Sequence, residues 1–519
     1  MVSMTTRLLY AVIIAVLCST TMARGQERTV LTFLHFNDTY LISPNPKGLG
    51  GFAPLRTLLK QEIANARGPT FITFGGDAIS PTALSGVTKG AHMIELLNAV
   101  GTAVAVPGNH EFDFGPEVLQ ARVQESHFPW LAPDVVRKSD GKICCGMQEH
   151  MLVNMGGIKV GMFGLLTKET EGYSSMGPNT IKPYKEVAEQ QVRALRDQGA
   201  EVIVAVTHLG FQEDISLGKV KGIHLVLGGH EHVVLAYYGN DVDDLLVLKV
   251  GQDGEHLGVV ELPVERGERG VTVGVPTWKV LPVQGIQPDQ EVQSIVSKYA
   301  KQEQDFKVVI GKTSVPINAI EALMSGKETA LGNVIADAMR QATKADVALI
   351  HGFNFRGMKK GVGEPLTHLD ILEALPFANT VVVVELTGAQ LRAALEHGVS
   401  GIRATNPREL SRFLQVSGLR LTYDPARPAR HSACPPRVKG SRITQVSVAD
   451  APLDDKRKYR VAINNFMAEG GNGYCMFLNA PRVSAPGLSR LLTDMTVEYI
   501  KQSGAVSAQP VRITGASGK

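Results

Sequence analysis

Between residues 28 and 230 the chain alternates short apolar runs with longer amphipathic stretches. The runs are rich in β-branched residues without strict alternation, which is typical of strands covered on both faces. They predict strands at Val30–Phe36, Thr70–Phe74, Thr102–Val106, Ile158–Leu165, Glu201–Thr207 and Ile223–Leu227. The amphipathic stretches predict helices, among them Phe52–Ala66, Ala91–Val100 and Tyr184–Gln198. This alternation predicts an α/β organisation.

The rest of the chain changes character twice. Residues 245–283 alternate between apolar and polar positions with interspersed glycines, which predicts β-hairpins, and Gln287–Glu303 reads as a charged helix. A second unit begins near residue 306 and becomes rich in strands from Phe413. Its predicted elements are helices at Thr329–Thr343, Thr387–Gly398 and Leu488–Lys501, strands at Ala345–His351 and Thr380–Leu386, and an exposed loop over Asp424–Ser441.

The N-terminus predicts export. Arg7 precedes an apolar run over Leu8–Cys18, and Ala23 provides a small residue suited to signal cleavage. Because the run is too short to span a bilayer, we expect a signal peptide over residues 1–23 and no stable membrane insertion after its removal. An uncleaved anchor is the alternative. The expected location is secreted or periplasmic.

Composition narrows the function classes. With 44% hydrophobic and 20% charged residues, the 519-residue chain is not a disordered protein. A net charge of +3 without any Lys/Arg block argues against a nucleic acid polymer as partner. The sequence does not fix the oligomeric state. Four cysteines follow the predicted signal, and their three possible pairings stay open: Cys144, Cys145, Cys434 and Cys475.

Polar residues follow five of the predicted strands. In an open α/β sheet, ligands bind at the carboxyl ends of the strands. One such residue usually caps a helix or lies at the surface, but five sites in succession indicate a common centre. The candidate metal ligands are Asp38, Asp77, Asn109, His208, His230 and His232, with Tyr40 as a weaker candidate.

This set of oxygen and nitrogen donors is too large for one tetrahedral site. It fits two adjacent divalent ions bridged by one carboxylate, an arrangement that activates water and stabilises both oxygens of a displacement. The predicted reaction is hydrolysis of a phosphoester or a related tetrahedral centre. Zn, Mn, Mg, Co and Fe all remain candidates for the metal.

The motifs LHFNDTY, GGD, GNHEFD, THLG and GGHEH resemble the calcineurin-like metallophosphatases in the form used by the 5′-nucleotidase family. KETALGNVIADAMR, DILEALPFANTVVVVELTG, FLQVSGLRLTYD and INNFMAEGGNGY resemble that family's C-terminal substrate domain. The resemblance implies an α/β fold (α+β by stricter schemes). Its parts are an N-terminal β-sandwich flanked by helices (28–283), a helical connector (287–305) and a smaller α+β substrate domain (306–516).

The resemblance also implies a division of roles. Asp38 and His232 would hold the first metal, Asp77 would bridge, and the second metal would take Asn109, His208 and His230. His110 and Asp113 would form a catalytic dyad that stabilises phosphate charge or protonates the leaving oxygen. The implied substrate-binding residues are Arg356, Phe377, Phe466, Asn472 and His351.

Several positions depart from the family pattern. Tyr40 replaces the usual histidine of the first block, so the first metal is expected to be weaker, different or bound through water. The family's Asn-Gly-Gly-Gly-Ile-Arg loop reads His351-Gly352-Phe353-Asn354-Phe355-Arg356 here, so the bulky aromatics Phe353 and Phe355 enter a glycine-rich loop. Asn472 replaces an aspartate, and the arginine expected just before the ETALGN segment is missing at Ser325–Lys327.

The motifs and their departures are therefore compatible with three functions. The first is a two-metal phosphomonoesterase that hydrolyses nucleoside 5′-monophosphates to nucleoside and phosphate by attack of metal-activated hydroxide. The second is the same chemistry on another small phosphate ester, such as a sugar phosphate or phosphoglycerate derivative. The third is a non-catalytic binding protein on the same fold.

Overall fold

The computed structural model describes residues 27–239, 245–268, 270–404, 406–431, 438–485 and 490–515. The predicted signal peptide lies outside these residues. Within them, no helix combines the length and the apolar content required to cross a bilayer.

The N-terminal domain contains fourteen strands among its described residues. They are β1 Glu27–Phe36, β2 Thr70–Phe74, β3 Val104–Ala105, β4 Val135–Arg137, β5 His150–Met155, β6 Ile158–Leu166, β7 Asn179–Ile181, β8 Val202–His208, β9 Leu225–Gly228, β10 Val234–Gly239, β11 Leu245–Val250, β12 His256–Gly267, β13 Gly270–Val273 and β14 Thr277–Pro282. The helices are α1 Phe52–Asn65, α2 Ala83–Thr88, α3 Ala91–Val100, α4 Pro116–Glu125, α5 Thr170–Tyr173, α6 Tyr184–Asp197, α7 Phe211–Ser216 and α8 Gln290–Gln304. Short 3-10 turns occur at Asn109–Phe112 and Leu217–Lys219.

Two six-stranded sheets form the centre of this domain. One has the order β13-β12-β1-β2-β3 with β14 also paired to β12, and the other has the order β10-β11-β9-β8-β6-β5. Strands β1, β2 and β3 are parallel, as are β6, β8, β9 and β11. Side chains from both sheets, including Phe33 and Val204, pack in one buried cluster. The predicted sandwich is confirmed, and its parallel strands direct their carboxyl ends toward one edge.

Helices cover the outer faces of the sandwich. Val187 and Leu195 of α6 pack on the second sheet. The predicted connector forms α8, whose N-terminus is capped by Asp289, and its Val296 and Tyr299 are buried with α1 and α3. The connector helix therefore packs on the N-terminal domain.

The C-terminal domain adds thirteen strands among its described residues. They are β15 Val309–Thr313, β16 Ile317–Asn318, β17 Val347–His351, β18 Lys359–Lys360, β19 Pro365–Thr367, β20 Val381–Thr387, β21 Leu414–Ser417, β22 Leu419–Tyr423, β23 Ile443–Val448, β24 Ala451–Pro452, β25 Lys458–Asn464, β26 Ala505–Val506 and β27 Ile513–Gly515. The helices are α9 Ala319–Met324, α10 Ala330–Thr343, α11 His368–Ala374, α12 Gly388–Gly398, α13 Pro407–Leu410, α14 Asn465–Ala468 and α15 Leu492–Ser503. Three 3-10 turns lie at Gly352–Asn354, Gly471–Gly473 and Cys475–Phe477.

A central sheet of order β20-β25-β17-β21 organises this domain. Helices α10 and α15 pack on one face and α12 on the other, which gives two apolar clusters. Phe355 is fully buried in the first cluster. It anchors the loop that leaves the end of β17.

The predicted elements occur in the structure with small shifts at their ends. The terminal helix begins at Leu492, and the described parts of the predicted loop, 424–431 and 438–441, contain no helix or strand. Of the three possible cysteine pairings, the structure joins the adjacent Cys144 and Cys145. Cys434 lies outside the described residues.

Candidate metal centre

The predicted ligands meet where the carboxyl ends of both sheets converge. Asp38 and Asp77 follow β1 and β2 of the first sheet, while His208 ends β8 and His230 follows β9 of the second. Asn109 opens the 3-10 turn that follows β3. The sandwich thus brings residues that are up to about 190 positions apart in sequence to one pocket.

A buried cluster of three residues forms the middle of this pocket. Asp38, Asp77 and His208 each offer a ligand atom, and these atoms all lie within 4.8 Å of one another. The Nε2 atom of His208 lies 3.2 Å from Oδ2 of Asp77. Nearby, Nε2 of His232 lies 3.1 Å from Oδ1 of Asp38, and the His230 ring packs edge-on against His208 at 5.0 Å.

Four of these residues have a backbone conformation that side chains rarely adopt. The φ angles are 50° at Asp38, 63° at Asp77, 89° at His230 and 56° at His232. Non-glycine residues with positive φ cost roughly 1 kcal/mol each, and they concentrate at functional sites where the surrounding structure holds them. The backbone is therefore bent so that these side chains face one centre.

Glycines next to the ligands permit the close approach of the loops. A Cβ atom at Gly108 would lie 2.1 Å from Oδ1 of Asp77, and one at Gly229 would lie 2.7 Å from Oδ2 of Asp38. Both distances are far below van der Waals contact. Any larger residue at either position would displace a carboxylate of the cluster.

The donor set fits divalent cations. Oδ1 of Asn109 is buried and makes no hydrogen bond among the described residues, and the buried Nε2 of His208 has only its ion-pair contact with Oδ2 of Asp77 there. Buried polar atoms normally have a partner, so an orphaned amide oxygen and a buried imidazole nitrogen beside two carboxylates indicate a cation position.

The electrostatics of the cluster agree with this interpretation. Burial alone would lower the pKa of His208, but the carboxylates of Asp77 and Asp38 outweigh it and raise that pKa to about 10. Burial opposes ionisation of Asp77, yet His208 and His110 hold the pKa of Asp77 well below its usual range. Two buried carboxylates thus attract positive charge strongly, as a cation site requires.

Tyr40 faces the cluster. Its hydroxyl lies 3.0 Å from Oδ2 of Asp77, 3.0 Å from Nε2 of His232 and 3.4 Å from Oδ1 of Asp38. Burial and the two carboxylates raise the pKa of the phenol well above its ordinary value. The hydroxyl therefore lies within reach of the ligand atoms.

The predicted dyad is formed. Nδ1 of His110 lies 2.6 Å from Oδ2 of Asp113, and the backbone N–H of His110 donates to Oδ1 of Asp77 at 2.8 Å. Oγ of Ser174 lies 3.1 Å from the other oxygen of Asp113. Burial lowers the pKa of His110, but Asp113 and Asp77 raise it by more, so the net shift is upward.

Three of the predicted substrate residues lie near this dyad. Phe377 stacks on His110 at 6.3 Å, and the guanidinium carbon of Arg356 lies 4.4 Å from the centre of the Phe377 ring. Phe466 lines the same interdomain cavity as Asp113 and Phe377.

The other two predicted substrate residues lie away from the dyad. His351 is fully buried, stacks on Tyr474 at 5.7 Å and contacts Phe466 edge-on, and burial lowers the pKa of His351 to about 3. The backbone carbonyl of Asn472 lies 2.9 Å from a ring nitrogen of His397. Neither residue lines the cavity at the dyad.

Comparison with known proteins follows the same division of the chain. Residues 31–234 match the calcineurin-like phosphoesterase family and residues 309–479 match the 5′-nucleotidase C-terminal domain. A 5′-nucleotidase of Diplobatis ommata is 29% identical over 95% of this chain and 91% of its own length. A 5′-nucleotidase precursor from Thermus thermophilus superposes with a TM-score of 0.70 at 27% identity, covering 94% of this chain and all of that structure.

The chain belongs to the 5′-nucleotidase family. Its members are metal-dependent phosphomonoester hydrolases, and this chain is an enzyme of that class. A trifunctional nucleotide phosphoesterase of Bacillus subtilis is 28% identical over 87% of this chain, which spans about a third of that longer protein.

Two charged residues that were not among the predicted site residues support the site. The buried carboxylate of Glu111 accepts hydrogen bonds from the backbone of Asp77, Ala78 and Gly108. Glu111 lies inside the GNHEFD motif, in which Asn109, His110 and Asp113 carry the predicted roles. It joins the loops that carry Asp77 and Asn109.

Lys249 is the second such residue. It is 1% exposed, and its ammonium donates to the carbonyls of Leu209 and Gly229 at 2.7 and 2.6 Å and pairs with Asp214 and Glu231. These contacts join the loops that follow His208 and precede His230. In the sequence, the sign of this role is a lysine inside the otherwise apolar run LVLKV, because lysine is rarely buried without a partner.

Replacing Lys249 with methionine is expected to destabilise the protein and its candidate metal centre. Loss of the ammonium leaves two buried carbonyls and two carboxylates without their partner, a change that costs about 3–5 kcal/mol. We expect a lower denaturant midpoint and weaker metal binding in a calorimetric titration. Lys279→Met is the matched control, because Lys279 is half exposed and its pair with Glu62 contributes only about 0–1 kcal/mol. Equal behaviour of the two variants would contradict the role of Lys249.

Proposed function

We propose that this enzyme uses two divalent cations to hydrolyse nucleoside 5′-monophosphates to nucleoside and phosphate. The observation that carries the proposal is the convergence of strand-end donors on one buried pocket, in which His208 Nε2 lies against Asp77 and Asn109 Oδ1 has no hydrogen-bond partner among the described residues. The names and coverage of the relatives support the nucleotide as the substrate class.

Under this proposal, the ligands divide between two positions. Asp38 and His232 would hold one ion, His208, His230 and Asn109 would hold the other, and Asp77 would contribute to both. When bound, divalent ions polarise the phosphate and make water a nucleophile at neutral pH. The close contact of Asp77 with His208 and of Asp38 with His232 supports this division.

His110 acts on the leaving group in this proposal. Its Nδ1 is engaged by Asp113, so the other ring nitrogen is available to stabilise phosphate charge or to donate a proton to the leaving oxygen. Ser174 beside Asp113 restricts the carboxylate to the orientation that holds the ring. The stack of His110 on Phe377 fixes the ring plane from the other domain.

Arg356 is proposed to bind the phosphate or ribose from the C-terminal domain. The guanidinium of Arg356 donates hydrogen bonds to the backbone carbonyls of Phe353 and Phe355, at 2.8 and 2.9 Å. A planar guanidinium fixed in this way is suited to bidentate contact with phosphate oxygens. Phe377 and Phe466 are proposed to bind the base, while His351 supports Phe466 from behind.

Export completes the proposal. An N-terminal signal over residues 1–23 would deliver the enzyme to the periplasm or the medium, where nucleotides of extracellular origin are hydrolysed. N-terminal sequencing of protein recovered outside the cytoplasm tests this assignment, and an intact Met1 would contradict it.

The metal requirement gives the first test of this function. We expect the purified protein to hold about two divalent ions by elemental analysis and to release phosphate from AMP. Chelation, or the change Asp77→Ala, should reduce the rate by about 10³-fold or more, which is ~4 kcal/mol in the barrier. Asp140→Ala in an exposed loop serves as the control and should keep metal and activity. Metal-free protein without activity would favour a binding function.

Position 40 gives a test that reads metal affinity directly. Because the Tyr40 hydroxyl lies among the ligand atoms of the first ion, Tyr40→His should add an imidazole donor and raise the affinity for that ion about tenfold or more. Tyr40→Phe, which removes only the hydroxyl, is the matched control. Calorimetric titration of metal-stripped protein distinguishes them, and an unchanged isotherm for Tyr40→His would place residue 40 outside the coordination sphere.

Substrate class is tested with a panel of phosphate esters. AMP is expected to be preferred over sugar phosphates and phosphoglycerate, and Phe466→Ala should lower kcat/KM for AMP by about tenfold, because stacking on one base contributes ~1–3 kcal/mol. Sugar phosphates should be unaffected. If both the wild type and Phe466→Ala hydrolyse sugar phosphates as fast as AMP or faster, the enzyme is a phosphatase of non-nucleotide esters.

A further inference from the structure

Five flat groups form a row that leads from the C-terminal domain to His110 of the dyad. We name Phe466, Phe353, Arg356, Phe377 and His110, in this order, the aromatic row. Phe466 and Phe353 stack at 6.3 Å with an interplanar angle of 19°. The guanidinium carbon of Arg356 lies 5.2 Å from the Phe353 ring centre and 4.4 Å from the Phe377 ring centre, and Phe377 stacks on His110 at 6.3 Å.

The space between the rings of Phe377 and Phe466 is already filled by the protein. The cavity lined by Phe353, Phe377 and Phe466 has a volume of only about 20 Å³. That is room for one water molecule, whereas pockets for small organic ligands measure about 300–1,000 Å³. A purine ring does not fit between Phe377 and Phe466 until one of the groups between them moves.

The two outer rings are held in place by a buried amide network. Oδ1 of Asn354 accepts hydrogen bonds from the side chains of Asn379 at 2.7 Å and Asn464 at 2.6 Å. All three amides are buried, and Asn379 and Asn464 each lie two residues from Phe377 or Phe466. Spreading these rings would break hydrogen bonds in the interior, at about 1–3 kcal/mol for each group left unpaired.

Domain movement does not empty the row either. Phe466, Phe353, Arg356 and Phe377 all belong to the C-terminal domain, so their spacing is unchanged when that domain rotates as a body. The backbone at Phe353 is fixed by the hydrogen bond from its N–H to the carbonyl of Ser411, at 3.1 Å. The Phe353 side chain is half-buried, and rotation about its own bonds gives up ring contacts with Phe466, His351 and Arg356 but breaks no hydrogen bond of this backbone or of the amide network. Displacing Arg356 would break its two hydrogen bonds to backbone carbonyls, so of the two groups between the outer rings Phe353 is the one that moves.

We propose that Phe353 occupies the base position of the cleft and acts as a specificity-determining residue against flat leaving groups. A nucleoside must displace its ring, whereas a small ester reaches the metal centre with the ring in place. The apparent affinity for a nucleotide is then reduced by the fraction of molecules in which the position is open. This inference rests on the proposed function, since it concerns the same cleft.

The test compares two substrates and one ligand in Phe353→Ala. Removing the ring should raise kcat/KM for AMP and the calorimetric affinity for adenosine by about tenfold each, if roughly a tenth of the wild-type molecules are open. The kcat/KM for glycerol 2-phosphate should change less than about twofold. Phe353→Leu refills the position with an apolar side chain and should stay within about threefold of wild type for AMP. Trp278→Ala, which removes an exposed ring on β14, should leave all three values unchanged.

Other outcomes overturn the proposal in recognisable ways. Weaker adenosine binding in Phe353→Ala would show that this ring stacks on the base. Equal gains for AMP and glycerol 2-phosphate would show a general effect on the site, and a gain in Phe353→Leu equal to that in Phe353→Ala would exclude occupancy as the cause. If wild-type protein hydrolyses no ester at all, the proposed function fails, while adenosine binding to the same variants still decides the role of Phe353.

Discussion

The burial of two carboxylates within a few ångströms of each other constrains the whole N-terminal domain. Asp38 and Asp77 are at most 1% exposed, and isolated buried anions are costly unless cations and hydrogen bonds surround them. Imidazoles from the opposite sheet approach them directly. The left-handed backbone at four ligands and the glycines beside them are the local means by which this charge balance is reached.

Buried polar groups behind the functional loops are a second common feature. Lys249 joins the loops of His208 and His230, Glu111 joins those of Asp77 and Asn109, and Asn354 joins those of Phe377 and Phe466. In each case one side chain satisfies several groups from segments distant in sequence. Fully satisfied networks of this kind fix loop positions more narrowly than apolar packing does.

The sequence reveals the elements and the family because those signals are local. Apolar runs, their glycines and the motifs that follow them predict the strands, the sandwich and the α/β class that the structure and the relatives confirm. The structure also brings the predicted ligands together, and their roles at each metal position stay predictions.

Other properties depend on contacts that no local pattern encodes. Phe353 and Phe355 look alike in the sequence, yet Phe355 is fully buried in the core and Phe353 lies in the cleft. Lys249 reads as part of an apolar strand, and its four acceptors come from other segments. The size of the interdomain cavity likewise results from side chains of both domains.

The connection between the domains has a consequence for how the enzyme assembles. Because α8 packs on the N-terminal domain and β15 begins at Val309, residues 305–308 are the covalent crossing between the two bodies. Four residues span at most about 14 Å, and Phe306 packs there with Ala83 and Leu369 on either side. Because one chain carries both domains, their encounter is unimolecular at high effective concentration, and dilution does not separate the cluster of Asp38, Asp77 and His208 from the C-terminal side chains that face it.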